Sequence, residues 1–318
     1  MAINLVGASQ NLNDSLNTIV TAFKRTREEA ERVRDSATHY PLKAHSGLSV
    51  VLATYGILEA RSLSDGVDME QAQDLADTPN TYTPAEVGVQ LVIADTTIRR
   101  SADPALMRQA GRSGASAYQR KEDGDGVGQF SSFTGGLGSA GTVLSPGHVT
   151  AAAAQLRTGT VLPSSTVTAE PAPGDYMGFF TPAQIHAVAM RIIPLSDVPT
   201  GTNAYAVTSS GVTVGPGRAG NLSDDLIRSG RKALGMLGGV HMHESANITS
   251  DASSDAIGAV FSKEGLIFAP EMEPVEKPQR DESARATELN IVGAYAWGVY
   301  RPAAFGLSMT FDSALPTA

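Results

Sequence analysis

Two histidines, His241 and His243, have the spacing in this sequence that comes closest to a metal site. Alternate side chains of a strand point to one side, so both imidazoles would lie on one face, with Glu244 next to them. Imidazoles bind zinc, but a site needs at least a third ligand, and the sequence does not identify one. A polar strand edge or a stacked surface pair is the preferred interpretation, and a metal site stays open as the alternative.

The segment Gly136–Gly141 fits the G-x-G-x-x-G pattern of dinucleotide-binding loops. That pattern is informative only after a buried strand, at the start of a helix, and with an acidic residue about 20 positions later. Here a polar stretch precedes the glycines and residues 161–166 contain no acid. We therefore interpret the segment as a flexible glycine-rich linker.

Other catalytic patterns are missing from the sequence. It contains no serine elbow, no Walker loop and no carboxylate pair with an evident acid and base. The acidic residues between 271 and 276 alternate with prolines at 270, 274 and 278, which is typical of a stiff, exposed connection. We expect no catalytic residue, no cofactor and no metal.

Composition excludes several classes of protein. The 318 residues carry a formal net charge of −9, which argues against a basic nucleic-acid-binding domain. There is no cysteine, so disulfides and thiolate metal sites are excluded. With 42% hydrophobic residues the chain can bury a core, and because it has no long apolar run we expect a soluble protein that is not routed for secretion.

The N-terminal segment predicts an amphipathic helical arm. Apolar residues recur at helical spacing from Leu12 to Phe23, and a highly charged stretch follows as far as Arg34. A solvated surface helix is the alternative interpretation.

The next region predicts a long hairpin. Residues 48–58 are rich in Val, Leu and Ile, and residues 87–93 alternate strictly between apolar and other side chains. The acidic segment 62–80 between them has little apolar material. An isolated two-stranded ribbon is marginal in water, so a hairpin of this length indicates a partner that receives it.

Three helix starts share a capping residue followed by proline: Asp103-Pro104, Ser145-Pro146 and Thr181-Pro182. The first predicts the longest helix, from about Pro104 to about Asp123. A further helix is predicted from Ser223. Strands are predicted over 260–268, 287–299 and 305–311, and the last two are expected to pair as a closing antiparallel ribbon.

This order of elements resembles the major capsid proteins of tailed bacteriophages, whose fold is named after phage Hong Kong 97. The resemblance covers nearly the whole chain and rests on element order rather than on an invariant motif. The stretches that look most like phage capsid sequence are Thr83-Pro84-Ala85-Glu86-Val87-Gly88-Val89, Gln279-Arg280-Asp281, Ala286-Thr287-Glu288-Leu289 and Tyr295-Ala296-Trp297-Gly298.

The resemblance implies an α+β Hong Kong 97-like capsid fold in four parts. They are an N-terminal arm at 1–45, an extended β-hairpin loop at 46–98, a peripheral domain with a long spine helix at 99–139 and 259–318, and an axial domain at 140–258. It also implies a structural protein of the virion, assembled in the bacterial cytoplasm, that forms hexamers and pentamers in an icosahedral shell around double-stranded DNA. The implied partners are copies of itself and portal, scaffolding and decoration proteins, with no membrane and no sequence-specific DNA binding.

Two departures from the family refine this expectation. Some members join neighbouring subunits by an isopeptide bond from a lysine in the extended loop. Residues 48–95 contain no lysine, so we expect a non-covalent shell. Some members carry a long N-terminal scaffolding segment, whereas the arm here starts at Met1, which leads us to expect a separate scaffolding protein or none.

The residues expected to act are therefore interface residues. Arg99 and Arg100 are placed to receive acidic groups from the loop, and a three-fold contact is suggested for Arg280 and Asp281 by position alone. The full set is Leu16, Val20 and Phe23 on the arm, Glu59, Arg61, Asp65 and Asp68 on the loop, and Arg99, Arg100, Arg280 and Asp281 on the peripheral domain.

Two other functions remain as alternatives. A bacterial encapsulin nanocompartment has the same fold and loads an enzyme cargo instead of DNA. The other is a soluble α/β enzyme that uses a metal held by His241 and His243.

Overall fold

The computed structural model describes residues 33–42, 47–55, 58, 62, 77–100, 106–159, 170–191 and 233–314. The described helices are α1 (Asp95–Arg100), α2 (Leu106–Gly128), α3 (Pro146–Thr158) and α4 (Pro182–Arg191). The described strands are β1 (Thr38–His39), β2 (Val50–Tyr55), β3 (Asp77–Tyr82), β4 (Ala85–Ala94), β5 (Gly135–Val143), β6 (Tyr176–Phe180), β7 (Ala233–Leu237), β8 (Val240–Glu244), β9 (Asp255–Ser262), β10 (Leu266–Asp281), β11 (Ala286–Val299) and β12 (Gly306–Asp312). No described helix is long and apolar enough to cross a membrane.

The chain forms two compact units, each from two separate stretches. The first comprises Met1–Val127 with Leu266–Gly298, and the second comprises Gly128–Gly265 with Val299–Ala318. The expected division into an arm, an extended loop, a peripheral domain and an axial domain stays a prediction.

A four-stranded sheet of order β1-β10-β11-β4 forms the centre of the first unit. Strand β4 pairs antiparallel with β11 over its whole length, from Ala85 opposite Tyr295 to Ala94 opposite Ala286. The predicted alternation is confirmed, because the odd-numbered residues from Val87 to Ile93 are half-buried and the even-numbered ones between them are exposed. One face of β4 therefore packs on its own unit.

The long helix α2 packs closely against this sheet. Tyr118 is 1% exposed, and a methyl group at position 293 of β11 would overlap its hydroxyl oxygen, so only glycine lets the two elements approach so far. The Tyr295 hydroxyl donates a hydrogen bond to Asp125 Oδ2 at 3.0 Å. Burial and the neighbouring Asp125 carboxylate raise the pKa of Tyr295 above its ordinary value.

The second unit has a six-stranded sheet of order β5-β12-β9-β6-β8-β7. Helices α3 and α4 contribute buried residues to the same core as strands β6, β8 and β12, including Leu156, Val188 and Met242. Four phenylalanines form a second cluster. Phe261 lies 5.9 Å from Phe179, 5.7 Å from Phe130 and 5.8 Å from Phe133 between ring centres.

The capping signals place two helix starts correctly. Helices α3 and α4 begin at Pro146 and Pro182, as predicted. Thr181 and Gln184 form the expected capping box, with Gln184 N donating to Thr181 Oγ1 at 3.2 Å and Thr181 N to Gln184 Oε1 at 3.1 Å. Helix α2 extends further than predicted, to Gly128; the cap at Asp103-Pro104 and the helix predicted from Ser223 lie outside the described residues.

Three predictions about strands were wrong. The glycine-rich segment 136–141 is no linker but part of β5, which pairs in parallel with β12. The segment with prolines at 270, 274 and 278, predicted as a stiff connection, is part of β10, which continues to Asp281. Strands β11 and β12 do not pair with each other, because β12 pairs with β9 and β5 in the other sheet.

The predicted hairpin exists with a different second strand. Strand β2 pairs antiparallel with β3, from Val50 opposite Tyr82 to Tyr55 opposite Asp77. The alternating strand β4, expected to close the hairpin, pairs with β11 instead. Residues 77–82 were overlooked because Asp77, Pro79 and Asn80 disfavour strands.

Candidate assembly surfaces

The ribbon formed by β2 and β3 exposes apolar side chains. Val51 is 56% exposed and Tyr55 is 52% exposed, and both belong to the odd-numbered side of β2. Leu48 and Leu58, at either end of this strand, are 82% and 56% exposed. Within the described residues, the sheet that contains β2 has two strands only, β2 and β3.

The ribbon is anchored at one end. Tyr82 is 8% exposed, and its ring occupies the space that any side chain at position 298 would need, so Gly298 lets the ribbon rest on β11. Further along, Asn80 Nδ2 donates a hydrogen bond to Thr54 Oγ1 of the facing strand at 2.8 Å. The root of the ribbon therefore belongs to the core of the first unit.

The described part of the predicted arm, residues 33–42, is held on the first unit by Arg34. Its Nη2 lies 2.5 Å from Glu273 Oε1 and its Nη1 lies 3.6 Å from Glu122 Oε1. The guanidinium carbon also lies 4.9 Å from the centre of the Phe268 ring, a cation–π contact. The Glu122 side chain is 3% exposed, and a carboxylate buried so deeply needs a compensating cation.

Backbone hydrogen bonds complete this anchor. Thr38 and His39 of β1 pair in parallel with Ile267 and Phe268 of β10. Tyr40 N then donates to the Phe268 carbonyl at 2.9 Å, and the chain continues along β10. Residues 33–42 are thus fixed on the first unit.

Arg280 and Asp281 both act within their own chain. Arg280 forms a bidentate ion pair with Asp95, with Nη1 to Oδ1 at 2.8 Å and Nη2 to Oδ2 at 2.7 Å. These hydrogen bonds raise the pKa of the Arg280 guanidinium above its ordinary value. The pair ties the end of β10 to the first residue of α1.

Asp281 organises the turn between β10 and β11. Its Oδ1 accepts hydrogen bonds from Ser283 Oγ at 2.7 Å, Ser283 N at 2.9 Å and Ala284 N at 3.0 Å. These bonds stabilise the charged form and lower the pKa of Asp281, chiefly through the Ser283 hydroxyl. The three-fold contact suggested for this pair stays a prediction.

Of the other predicted interface residues, the structure describes only the backbone of two. Arg99 and Arg100 lie on α1, but their side chains are outside the described set. The remaining ones also lie outside the described residues: Leu16, Val20, Phe23, Glu59, Arg61, Asp65 and Asp68.

The two histidines lie on one strand, and the structure shows what the second of them contacts. His241 and His243 lie on β8, as the spacing predicted, and the His243 ring stacks on Phe179 at 4.9 Å with 21° between the planes. Over the described ranges, no group of three His, Cys, Asp or Glu side chains is arranged to hold a metal. His243 therefore stacks on a fully buried phenylalanine of β6, whereas a stacked surface pair was expected.

Sequence reasoning missed the most exposed apolar residues of the ribbon and the role of Arg34. The spacing of Val51 and Tyr55 on one side of β2 was a usable signal. Arg34 had no local signal, since its partners Glu122 and Glu273 are far away in sequence.

The sequence matches no protein-family model and no curated protein. The fold, in contrast, matches solved structures. A chain from the head structure of Helicobacter pylori bacteriophage KHP40 is 12% identical, with 88% of each chain covered and a TM-score of 0.64. A chain from the capsid structure of cyanophage P-SCSP1u is 13% identical, with 90% of this chain and 89% of that chain covered and a TM-score of 0.59.

A third structure extends the comparison beyond phages. A chain of the virus-like particle from Pyrococcus furiosus is 11% identical, with 92% of this chain and 98% of that chain covered and a TM-score of 0.51. Likeness at such low identity establishes architecture. The expected fold class is confirmed: this chain has the α+β, Hong Kong 97-type fold of tailed-bacteriophage capsid proteins.

Proposed function

We propose that this chain is a major capsid protein, which assembles as hexamers and pentamers into the icosahedral head shell that encloses the double-stranded DNA of a tailed phage. The observation that carries the proposal is the ribbon β2–β3, whose apolar side chains are exposed in a chain with the capsid fold. The protein has a structural role in this proposal and catalyses no reaction.

The ribbon supports assembly for a physical reason. Two strands alone are marginally stable in water, and Val51 and Tyr55 leave apolar area exposed that a neighbouring subunit would bury. Interfaces between permanently associated subunits commonly bury more than about 2,000 Å². A ribbon that extends from an anchored root can supply part of such an area.

The other expectations from the resemblance, on domains, subunit contacts and partners, are part of the same proposal. The four-part division, with an arm, an extended loop, a peripheral domain and an axial domain, describes how each part would serve the shell. The absence of lysine from residues 48–95 favours subunits held together without a covalent bond. Scaffolding, portal and decoration proteins are proposed partners, and assembly would take place in the cytoplasm of the bacterial host.

A nanocompartment shell of the encapsulin type is the second candidate. It is supported by the likeness to the virus-like particle from Pyrococcus furiosus, which covers 98% of that chain. Its TM-score of 0.51 is lower than the 0.64 of the phage head chain, so the phage proposal has the stronger support. The third candidate, an enzyme with a metal at His241 and His243, has no third ligand in the described part of the chain.

The test compares the wild-type chain with a ribbon variant, Val51→Ser with Tyr55→Ser. We expect light scattering and negative-stain microscopy to show capsomers or closed particles for the wild type. The ribbon variant is expected to stay near the 33.1 kDa of one chain, because the area that a neighbour buries has become polar. A matched control, Met236→Ser with Ile257→Ser, removes exposed apolar side chains from the other unit and should still assemble.

Normal particles from the ribbon variant would contradict the proposal. The contents of particles isolated from bacteria separate the two shell candidates, since nucleic acid favours the phage head and a single enzyme cargo favours the nanocompartment.

A further inference from the structure

The exposed face of helix α2 has a charge opposite to that of the whole chain. Residues 106–121 contain no Asp or Glu, although the net charge of the protein is −9. Between Gln109 and Lys121 the exposed charged side chains are Arg112, Arg120 and Lys121, all positive. Small residues separate them: Ser113, Ser116 and Ala117.

The opposite face of α2 packs within the first unit. Tyr118 is 1% exposed, and Glu122, the first acidic residue of the helix, is 2% exposed and ion-paired with Arg34. The positively charged side chains therefore lie on the exposed side of the helix, away from Tyr118 and Glu122.

Among the described residues, no acidic side chain forms an ion pair with Arg112 or Arg120. Lys121 contributes less, because its Nζ lies 2.6 Å from Asp125 Oδ1, one helical turn further on. The stripe is thus defined by Arg112 and Arg120, with Lys121 at its border.

We propose that this stripe contacts the sugar–phosphate backbone of double-stranded DNA, an inference that rests on the proposed function. Arg112 and Arg120 are eight residues apart, about 12 Å along the helix axis, so each guanidinium can reach a different phosphate of one duplex. Arginine binds phosphate oxygens bidentately, and the small residues between the two let a rigid duplex approach the helix.

The composition of the stripe favours DNA over a protein partner. Protein interfaces generally bury an apolar or aromatic centre, and Ala117 is the only apolar residue on the exposed face between Gln109 and Lys121. Two or three phosphate contacts per subunit bind weakly and without regard to base sequence. Such contacts would line a shell without holding the DNA tightly.

The test measures binding of the full-length chain to a fluorescein-labelled duplex of mixed sequence by fluorescence anisotropy, from about 50 to about 200 mM salt. The variant is Arg112→Gln with Arg120→Gln, since glutamine keeps a similar helix propensity. The matched control, Lys263→Gln with Lys277→Gln, removes the same charge from exposed positions elsewhere. We expect the slope of log K against log salt to become shallower by about 2 in the stripe variant and to stay unchanged in the control.

Equal slopes for wild type and stripe variant would overturn the inference, and so would an absence of wild-type binding at the lowest salt. Tighter binding to polyglutamate than to a duplex of equal charge would also overturn it, because the partner would then be an acidic protein. Light scattering on the same samples tests the proposed function separately. Particles that form in all three samples, with reduced DNA affinity in the stripe variant alone, support both proposals.

Discussion

The six-stranded sheet of the second unit and the ribbon β2–β3 use similar side chains in opposite ways. In the sheet, Phe261 is fully buried and lies within 6 Å of three other phenylalanine rings. In the ribbon, Val51 and Tyr55 are more than half exposed. Strand composition therefore does not decide burial, because similar side chains are buried where other elements of the same unit pack on them and exposed on the ribbon.

The largest expected effect on stability concerns the buried phenylalanine cluster of the six-stranded sheet. Phe261→Ala removes a ring that three others surround, so we expect it to lower the free energy of unfolding by about 3–5 kcal/mol. Urea denaturation followed by circular dichroism measures this. Ile257→Ala on the same strand is the control: because Ile257 is 40% exposed, its cost should be much smaller. Equal losses from the two substitutions would contradict the assignment of Phe261 to a close-packed core.

A smaller effect on stability is expected at the root of the ribbon, where β3 packs on the first unit. Tyr82 belongs to β3, yet it is 8% exposed and rests on Gly298. We expect Tyr82→Ala to cost about 1.5–3 kcal/mol in the same denaturation experiment, because the ring is buried although its strand is not. Tyr55→Ala, at the exposed end of the ribbon, should change the stability of the subunit by less than about 0.5 kcal/mol. Similar losses of stability from the two substitutions would contradict the distinction between a buried root and an exposed tip of the ribbon.

The smallest effect concerns the turn at the end of β10. Ser283→Ala should raise the pKa of Asp281 towards its ordinary value, because it removes the shortest of three hydrogen bonds to that carboxylate. The folded pKa is lowered, so the contribution of Asp281 to stability is present above its unfolded pKa and is lost as the pH falls through the folded value. Carboxyl chemical shifts followed by NMR measure both values. The same Asp281 pKa in the wild type and the variant would contradict the geometry of the turn.

Local features of the fold could be predicted from sequence. The alternation between Val87 and Ile93 and the spacing of Thr181 and Gln184 depend on neighbours a few residues away, and both predictions were confirmed. The order of elements was also sufficient to identify the fold class.

Strand partners could not be predicted in the same way. Periodicity tells which side of β4 is buried but not whether it pairs with β2 or with β11, and β11 is nearly 200 residues away. Strand β5 was predicted to be a linker because its glycines have no side chains that could show an alternating pattern. It is a strand because it pairs with β12, which is distant in sequence. The ion pair of Arg34 with Glu273 joins residues that are even further apart in sequence.

The contact between Tyr82 and Gly298 also limits how this chain can change in evolution. Since the ring fills the space of a side chain at position 298, a substitution there requires a smaller residue at position 82. The same holds for Gly293 and Tyr118. Among related sequences these positions should vary in pairs, so a library that randomises both members of a pair should recover small–large combinations in either order.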